Sequence, residues 1–379
     1  MIAFILILSL ALITGIVYAI VILAFTYGWF LLKETKYQLT DSKIKVSVIV
    51  PFRTERENLE SILECLMKQA YPAEFFEVIL IDDHSSDSGY KIAGDFIETN
   101  KLTNSKVLSL EAGDGISKKA ALQKGIANST GELIITTDAD CKMGEFWIST
   151  IVDKYLTERS SMISAPVCII PDKSFFSKLQ TLEFFSLIGS GAGAIAIHRS
   201  FLANGANLCF TRKLYDELKG YSNNSEYASG DDVFMLLQAK QKHNISFLKD
   251  KAAIVYTKGA ANLKTFLHQR IRWASKSSGY KDATALFTAW SVFLLNFMIA
   301  LTFGLGFMRS GYFLMAGSLF ILKLTVDFAM FYGVAAFLSL RKLMWLYFPL
   351  QIFYTIYIIG TAVLSRVVPF EWKDRKLRK

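Results

Sequence analysis

The first 32 residues carry no charged side chain, and three further apolar blocks, about 285–307, 311–338 and 343–365, follow near the other end. A run of about 20 apolar residues crosses a bilayer as a helix. Within lipid only helices and closed barrels satisfy their own backbone. The chain is therefore read as a membrane protein whose polar part lies between apolar ends. A secretory signal would carry an early positive charge, a shorter apolar core and a small-residue cleavage site. None stands out, so residues 1–32 are read as a retained transmembrane anchor. Lys33, Lys36, Lys43 and Lys45 follow it. Such a basic flank assigns that end to the cytoplasm.

Hydrophobic residues make up 52% of the 379 and charged residues 20%; mean hydropathy is +0.33. The net charge of +9 does not call for a nucleic-acid partner, because much of it lies beside the apolar blocks. The tail, 367–379, carries five basic residues. Three crossings from a cytoplasmic domain would put that tail outside, whereas its charge argues for inside. Either one block is re-entrant or interfacial, or the middle block is a hairpin. Lys323 and Asp327 interrupt that middle block at a spacing that lets them pair on one helical face. Cys65, Cys141, Cys168 and Cys209 form no C-x-x-C pair, so neither a zinc site nor a disulfide framework is expected.

Between about 46 and 260 the pattern alternates. Val46–Val50 and Val78–Ile81 read as buried strands, Lys106–Leu110 as a third, and Leu133–Ile135 as a fourth. Residues 57–69 and 117–127 have helical spacing between them. Alternation of this kind implies parallel strands with crossover helices. The second strand ends in Asp82 and Asp83, and the fourth runs into Asp138-Ala139-Asp140. Both acidic clusters then lie on one edge of one sheet, where ligands bind in open α/β folds. Asp is also common in turns. As a site, two carboxylates one residue apart suit Mg²⁺ or Mn²⁺ holding a diphosphate, since hard cations take oxygen ligands.

Farther on, Phe175, Leu179, Leu182 and Phe185 recur at helical spacing. That helix either covers the sheet or lies in the membrane interface; the two apolar ends favour the interface. Gly189-Ser190-Gly191-Ala192-Gly193 is expected to break it. Asp231 and Asp232 open a helix after Gly230; one carboxylate suffices as a cap. On a helix, Gln269, Arg272, Trp273 and Lys276 share one face and Leu263, Leu267, Ile271 and Ala274 the other. A Trp beside Arg and Gln reads as the wall of a site, or as an interfacial anchor facing lipid headgroups.

Over roughly residues 46 to 283 the chain resembles the family-2 glycosyltransferases, with an A-type nucleotide-sugar fold. The resemblance rests on Val48-Ile49-Val50-Pro51-Phe52-Arg53-Thr54-Glu55, Ile81-Asp82-Asp83-His84-Ser85-Ser86-Asp87, Lys118-Lys119-Ala120-Ala121-Leu122-Gln123, Asp138-Ala139-Asp140 and Gln269-Arg270-Ile271-Arg272-Trp273. The family often has Asn where Thr54 stands and Gly where His84 stands; both departures fall in loops. The last motif is similar to that of membrane enzymes of two kinds, polysaccharide synthases and ceramide-type lipid glucosyltransferases.

The resemblance implies a set of roles. Asp83 and Asp82 meet the uracil; Pro51, Glu55, Lys118 and Asp138 lie along the nucleotide; Gln269 and Arg272 lie near the diphosphate. Asp140, with Asp138, holds the metal. Asp232 is the general base, and Trp273 and Asp231 border the acceptor. The expected fold is α/β, with a mostly parallel sheet, interfacial amphipathic helices and transmembrane helices at both ends. Its parts are an anchor at 1–32, a cytoplasmic domain at 46–260, an interface helix at 261–283, transmembrane segments at 284–366 and a basic tail at 367–379. The expected reaction is an inverting transfer from a UDP-sugar to a hydroxyl of a lipid or short glycan at the plasma (inner) membrane. The alternatives are a processive polysaccharide synthase and a silent nucleotide-sugar-binding membrane protein.

Overall fold

The computed structural model describes residues 2–35, 43–111, 113–220, 231–275 and 279–367, with the backbone of 370–372 and 375–377. Lys36, Gly230, Lys276 and the tail side chains lie outside the described residues.

A long helix, α1 (Ile2–Leu31), leads into an α/β domain. The domain opens β1 (Val46–Phe52), α2 (Arg56–Met67), β2 (Phe76–Asp82), α3 (Gly89–Thr99), β3 (Ser105–Ser109), α4 (Lys118–Ala127) and β4 (Leu133–Thr136). It continues β5 (Lys142–Met143), α5 (Trp147–Glu158), β6 (Met162–Ser164), β7 (Val167–Ile170), α6 (Phe175–Ala196), β8 (Leu208–Thr211) and α7 (Arg212–Glu217). α8 (Asp231–Ala239), β9 (Ile245–Phe247), β10 (Val255–Lys258) and α9 (Leu263–Ser275) complete it. The main sheet runs β3-β2-β1-β4-β8-β6-β9 and a smaller one β5-β10-β7.

β1 to β4 pair in parallel, with Val48 opposite both Val78 and Ile135. All seven residues of β1 are buried, as a central strand covered on both faces requires. β8 enters antiparallel between β4 and β6, so the sheet is mostly parallel. The acidic ends of β2 and β4 fall on one edge, two strand spacings apart, about 10 Å.

The helix over 174–189 differs from expectation. α6 runs unbroken to Ala196, buried over most of its length. The glycines do not end it; they let other helices approach. A Cβ on Gly193 would strike the backbone of Phe25, and one on Gly28 the backbone of Gly193, so α1 and α6 meet main chain to main chain. A Cβ on Gly189 would instead strike the side chains of Met330 and Val334. α6 is a central strut packed against α1 on one side and β7 and β9 of the domain on another.

Three C-terminal helices follow, α10 (Ala283–Gly306), α11 (Gly311–Phe337) and α12 (Tyr347–Val367). Counting the turn before α12, four helices among the described residues are long and apolar enough to cross a membrane. α11 is one continuous helix, which removes the hairpin alternative. Its Lys323 and Asp327 do pair, at 2.7 Å and fully buried. α12 lies alongside the domain. Tyr354 and Tyr357 meet Ser186 and Glu183 of α6 at 3.5 and 3.0 Å. The short strand pair β11 (Phe370–Trp372) and β12 (Arg375–Leu377) then returns to α9. The four cysteines are free.

Candidate active site

β4 delivers Asp138 and Asp140 into a tight turn, closed by the Cys141 N–H donating to the Asp138 carbonyl at 3.1 Å. Turn and site are thus one object. Asp138 pairs with Lys118, the first residue of α4, whose start is capped by Ser117. Burial by itself would lower the Lys118 amine; Asp138, with Asp232 and Asp231, outweighs that and raises it. Asp140 accepts a hydrogen bond from the Thr257 hydroxyl at 3.0 Å. Burial, then Asp138 and Glu55, pushes the Asp140 carboxyl above its ordinary value. A carboxylate so placed favours a cation beside it.

Whether a divalent metal fits is decided by this donor set. It is oxygen only, which suits a hard cation. Among the described residues no group of three His, Cys, Asp or Glu gathers closely enough to hold a metal unaided. Two carboxylates of this kind suit an ion completed by substrate phosphates and water, the usual habit of Mg²⁺.

At the β2 end, Asp83 is 1% exposed. Its carboxylate lies 3.2 Å from His84 Nδ1, and Arg53 donates to the carbonyls of Asp83 and His84, both at 2.8 Å. Asp82 accepts from the Ser85 N–H at 3.0 Å and from the Ser85 hydroxyl, so that carboxylate also shapes the loop. Glu55 precedes α2 and accepts from Asn58 at 2.5 Å. Pro51 is buried near the end of β1, in register with Ile81. Thr54 and His84 both have left-handed backbones, φ 52° and 54°.

Asp231 and Asp232 form the first turn of α8. The carboxylate of Asp232 reaches beyond its own helix, accepting from the Gly205 N–H at 2.9 Å. On α9, Gln269, Arg272 and Trp273 do share a face. The opposite face departs from expectation: Leu263 is 47% exposed, and the residues buried are Phe266, Arg270 and Ile271. Arg270 is held by Glu183 of α6 at 3.2 and 2.5 Å, donates to Gln269 at 2.8 Å and stacks 4.2 Å from the Trp273 ring centre. An ion pair takes the place of the expected apolar contact.

One cavity of about 330 Å³ gathers Lys118, Asp138, Asp231, Asp232, Gln269, Arg272 and Trp273. Burial lowers the Arg272 guanidinium although Asp138, Asp232 and Asp231 all oppose that. Pro51, Glu55, Asp82, Asp83 and Asp140 do not line this cavity. Asp140 is tied to the cavity through Asp138, which acts on it together with Glu55, and Pro51 and Asp82 lie at the ends of β1 and β2. Reading the sequence missed Thr257, Tyr280, Arg270 and Glu183. The last had a signal, a lone carboxylate among the apolar residues of α6.

Fold and cavity together define an A-type nucleotide-sugar fold joined to membrane-length helices. Residues 47–216 match the model of "Glycosyl transferase family 2" and residues 133–365 that of "Glycosyl transferase family group 2". The chain belongs to the family-2 glycosyltransferases. It is similar to the probable glycosyltransferase YdaM of Bacillus subtilis, 24% identical over 237 residues, which are 61% of this chain and 54% of that protein. It is also similar to the glycosyltransferase AglE of Haloferax volcanii, 32% identical over 103 residues, 27% of this chain and 33% of that one. The chain thus spans about half or less of these curated relatives. Among solved structures, the mannosyltransferase PcManGT of Pyrobaculum calidifontis, in complex with GDP-Man and Mn²⁺, has a TM-score of 0.62 at 18% identity. The match covers 95% of this chain and 99% of that one, and it shows the fold.

Proposed function

We propose that this protein is an inverting glycosyltransferase moving a sugar from a UDP-sugar to a hydroxyl of a membrane-presented lipid or short glycan. The observation that carries the reading is the convergence of Lys118, Asp138, Asp231, Asp232, Gln269, Arg272 and Trp273 on one cavity. Asp82, Asp83, Pro51 and Glu55 hold the nucleotide along the adjoining strand ends. Lys118 and Arg272 would neutralise the diphosphate, and Gln269 would orient it. A bound Mg²⁺ or Mn²⁺ on Asp140 and Asp138 supplies Lewis-acid stabilisation of charge on the departing nucleoside diphosphate. Asp232 takes the proton of the attacking hydroxyl. Trp273 and Asp231 border the acceptor sugar or headgroup, and the stacked indole excludes water from that side.

The domain at 46–260 and the tail at 367–379 are assigned to the cytoplasmic face of the plasma (inner) membrane. The return of β11 to α9 supports this assignment, with α12 lying along the interface rather than crossing. α1, α10 and α11 then make three crossings, and the basic tail stays inside, which removes the conflict between charge and span count. The complex of the Pyrobaculum protein with GDP-Man supports one second reading, a GDP-sugar donor on the same site.

The test is Asp232→Asn in purified membranes. Transfer falls by about 10²–10⁴, while UDP affinity by titration calorimetry changes little. Full turnover by that variant removes the base from the mechanism. Product mass spectrometry separates single transfer, one added hexose, from the ladder of a processive synthase.

A further inference from the structure

A second cavity, about 710 Å³, lies among α1, α6, α10, α11 and α12. That is within the roughly 300–1,000 Å³ of small-molecule sites. Its walls are mostly apolar, Ile22, Phe293, Met330 and Ile358 among them, and come from membrane-length helices. At one side stand Tyr18 and Asp327, hydrogen-bonded at 2.7 Å. Four residues, Leu187, Leu202, Trp273 and Tyr280, line both this cavity and the one holding Asp232. The two spaces therefore adjoin at these four side chains, with Asp327 and Arg366 on one side and Asp231, Asp232, Lys118 and Arg272 on the other.

Building on the proposed transfer, we propose that the acceptor is a neutral hydroxyl-bearing lipid of the diacylglycerol kind. Its chains lie in the 710 Å³ cavity, and its hydroxyl passes between Trp273 and Tyr280 to Asp232. The base on the reaction side selects this class over a lipid phosphate. Asp231 and Asp232 share the reaction side with Lys118 and Arg272, which the donor diphosphate occupies in the proposed transfer. A phosphate oxygen is already deprotonated near neutral pH and gives a base nothing to remove, whereas a hydroxyl requires one. In the transfer, the lipid oxygen bonds to the anomeric carbon and its proton passes to the Asp232 carboxylate. The bond from that carbon to the diphosphate oxygen breaks, and its electron pair leaves with the nucleoside diphosphate.

The experiment uses the purified full chain in phosphatidylcholine vesicles with Mn²⁺ and, in turn, UDP-glucose, UDP-galactose, UDP-N-acetylglucosamine and GDP-mannose. The vesicles contain either 1,2-dioleoylglycerol or undecaprenyl phosphate. With dioleoylglycerol, nucleoside diphosphate release rises tenfold or more and a lipid heavier by one sugar appears in the organic phase. Two cavity fillers on different helices, Ala289→Trp and Ala362→Phe, each lose that stimulation while eluting as the parent does on size exclusion. Stimulation by undecaprenyl phosphate in place of dioleoylglycerol overturns the inference, as does stimulation that survives both fillers. Donor hydrolysis that neither lipid changes overturns it too and leaves the glycosyltransferase reading standing. No release from any donor in any vesicle ends that reading and the inference with it.

Discussion

The Arg270 guanidinium lies 4.2 Å from the centre of the Trp273 ring, on the same helix and one turn away. Glu183, from α6, fixes its other edge through two hydrogen bonds, and Tyr357 of α12 donates to that same carboxylate at 3.0 Å. Three helices thus meet on one ion pair, and the ion pair holds the indole and Gln269 at the cavity wall. Burial alone would lower the guanidinium; Glu183 more than offsets this, and the net effect is upward.

Arg270 is accordingly a positioning residue, and the split between turnover and binding tests it. Arg270→Lys keeps the charge and loses the planar fork and the stack. Its kcat falls roughly ten- to a hundredfold, as misplacement by about 1 Å does, while UDP affinity by calorimetry stays within about threefold. An equal loss in both contradicts the assignment. Arg270→Ala is more severe, since a lone buried carboxylate is left behind at a cost of about 3–5 kcal/mol.

Thr54 and His84 stand where the family often has Asn and Gly, and both occupy the left-handed region. Asn and Gly adopt that region readily, and a β-branched residue is an outlier there. Thr54→Asn keeps a polar side chain beside Ser86, which Thr54 now meets at 3.4 Å. It relieves about 1 kcal/mol of backbone strain, so Tm rises by about 2–4 °C. A lower Tm in a thermal scan shows that the Thr54 contacts outweigh the strain.

Asp140 is half-buried beside Asp138 and takes a hydrogen bond from Thr257. Calorimetry of UDP with Mn²⁺ and with EDTA isolates any metal-linked part of the affinity. Asp140→Ala removes that part and leaves the EDTA value unchanged. Thr257→Val lowers it about tenfold, because outer-shell partners orient ligating carboxylates. Binding by Asp140→Ala that still responds to Mn²⁺ excludes the carboxylate as a ligand.

Much of this arrangement is legible in the residues. Val46–Val50 and Leu133–Ile135 announce buried strands because both faces are apolar, and strand order then puts Asp82 and Asp138 on one edge. Gln269, Arg272 and Trp273 come together because helical spacing is local geometry. What lies across sequence distance is not legible. Thr257 is one hydroxyl among many until β10 is set beside the Asp-x-Asp turn. Gly189 and Gly193 look like helix breakers, since local propensity speaks against them, but helices packed against α6 reverse that preference. Glu183 and Arg270, 87 residues apart, look like two unrelated charges on two helices.

Lys323 and Asp327 are buried among the apolar helices, and the partners named here are all internal. Lys323 donates to Asp327 and to Gln351; Asp327 accepts from Tyr18 at 2.7 Å and from Gln351 at 3.2 Å. Ionisable residues at such depth face protein or a cavity and pair with one another. Lys323→Met strips the carboxylate of its counter-charge and destabilises by about 3–5 kcal/mol. Adding Asp327→Leu removes the stranded charge, and the double variant recovers most of the loss, since a well-packed apolar pair replaces a buried ion pair at little net cost. Thermal midpoints in detergent for the two single variants and the double measure this directly. Effects that simply add contradict coupling between the two residues, for the energy then lies in each side chain's packing and not in the charge that one supplies to the other.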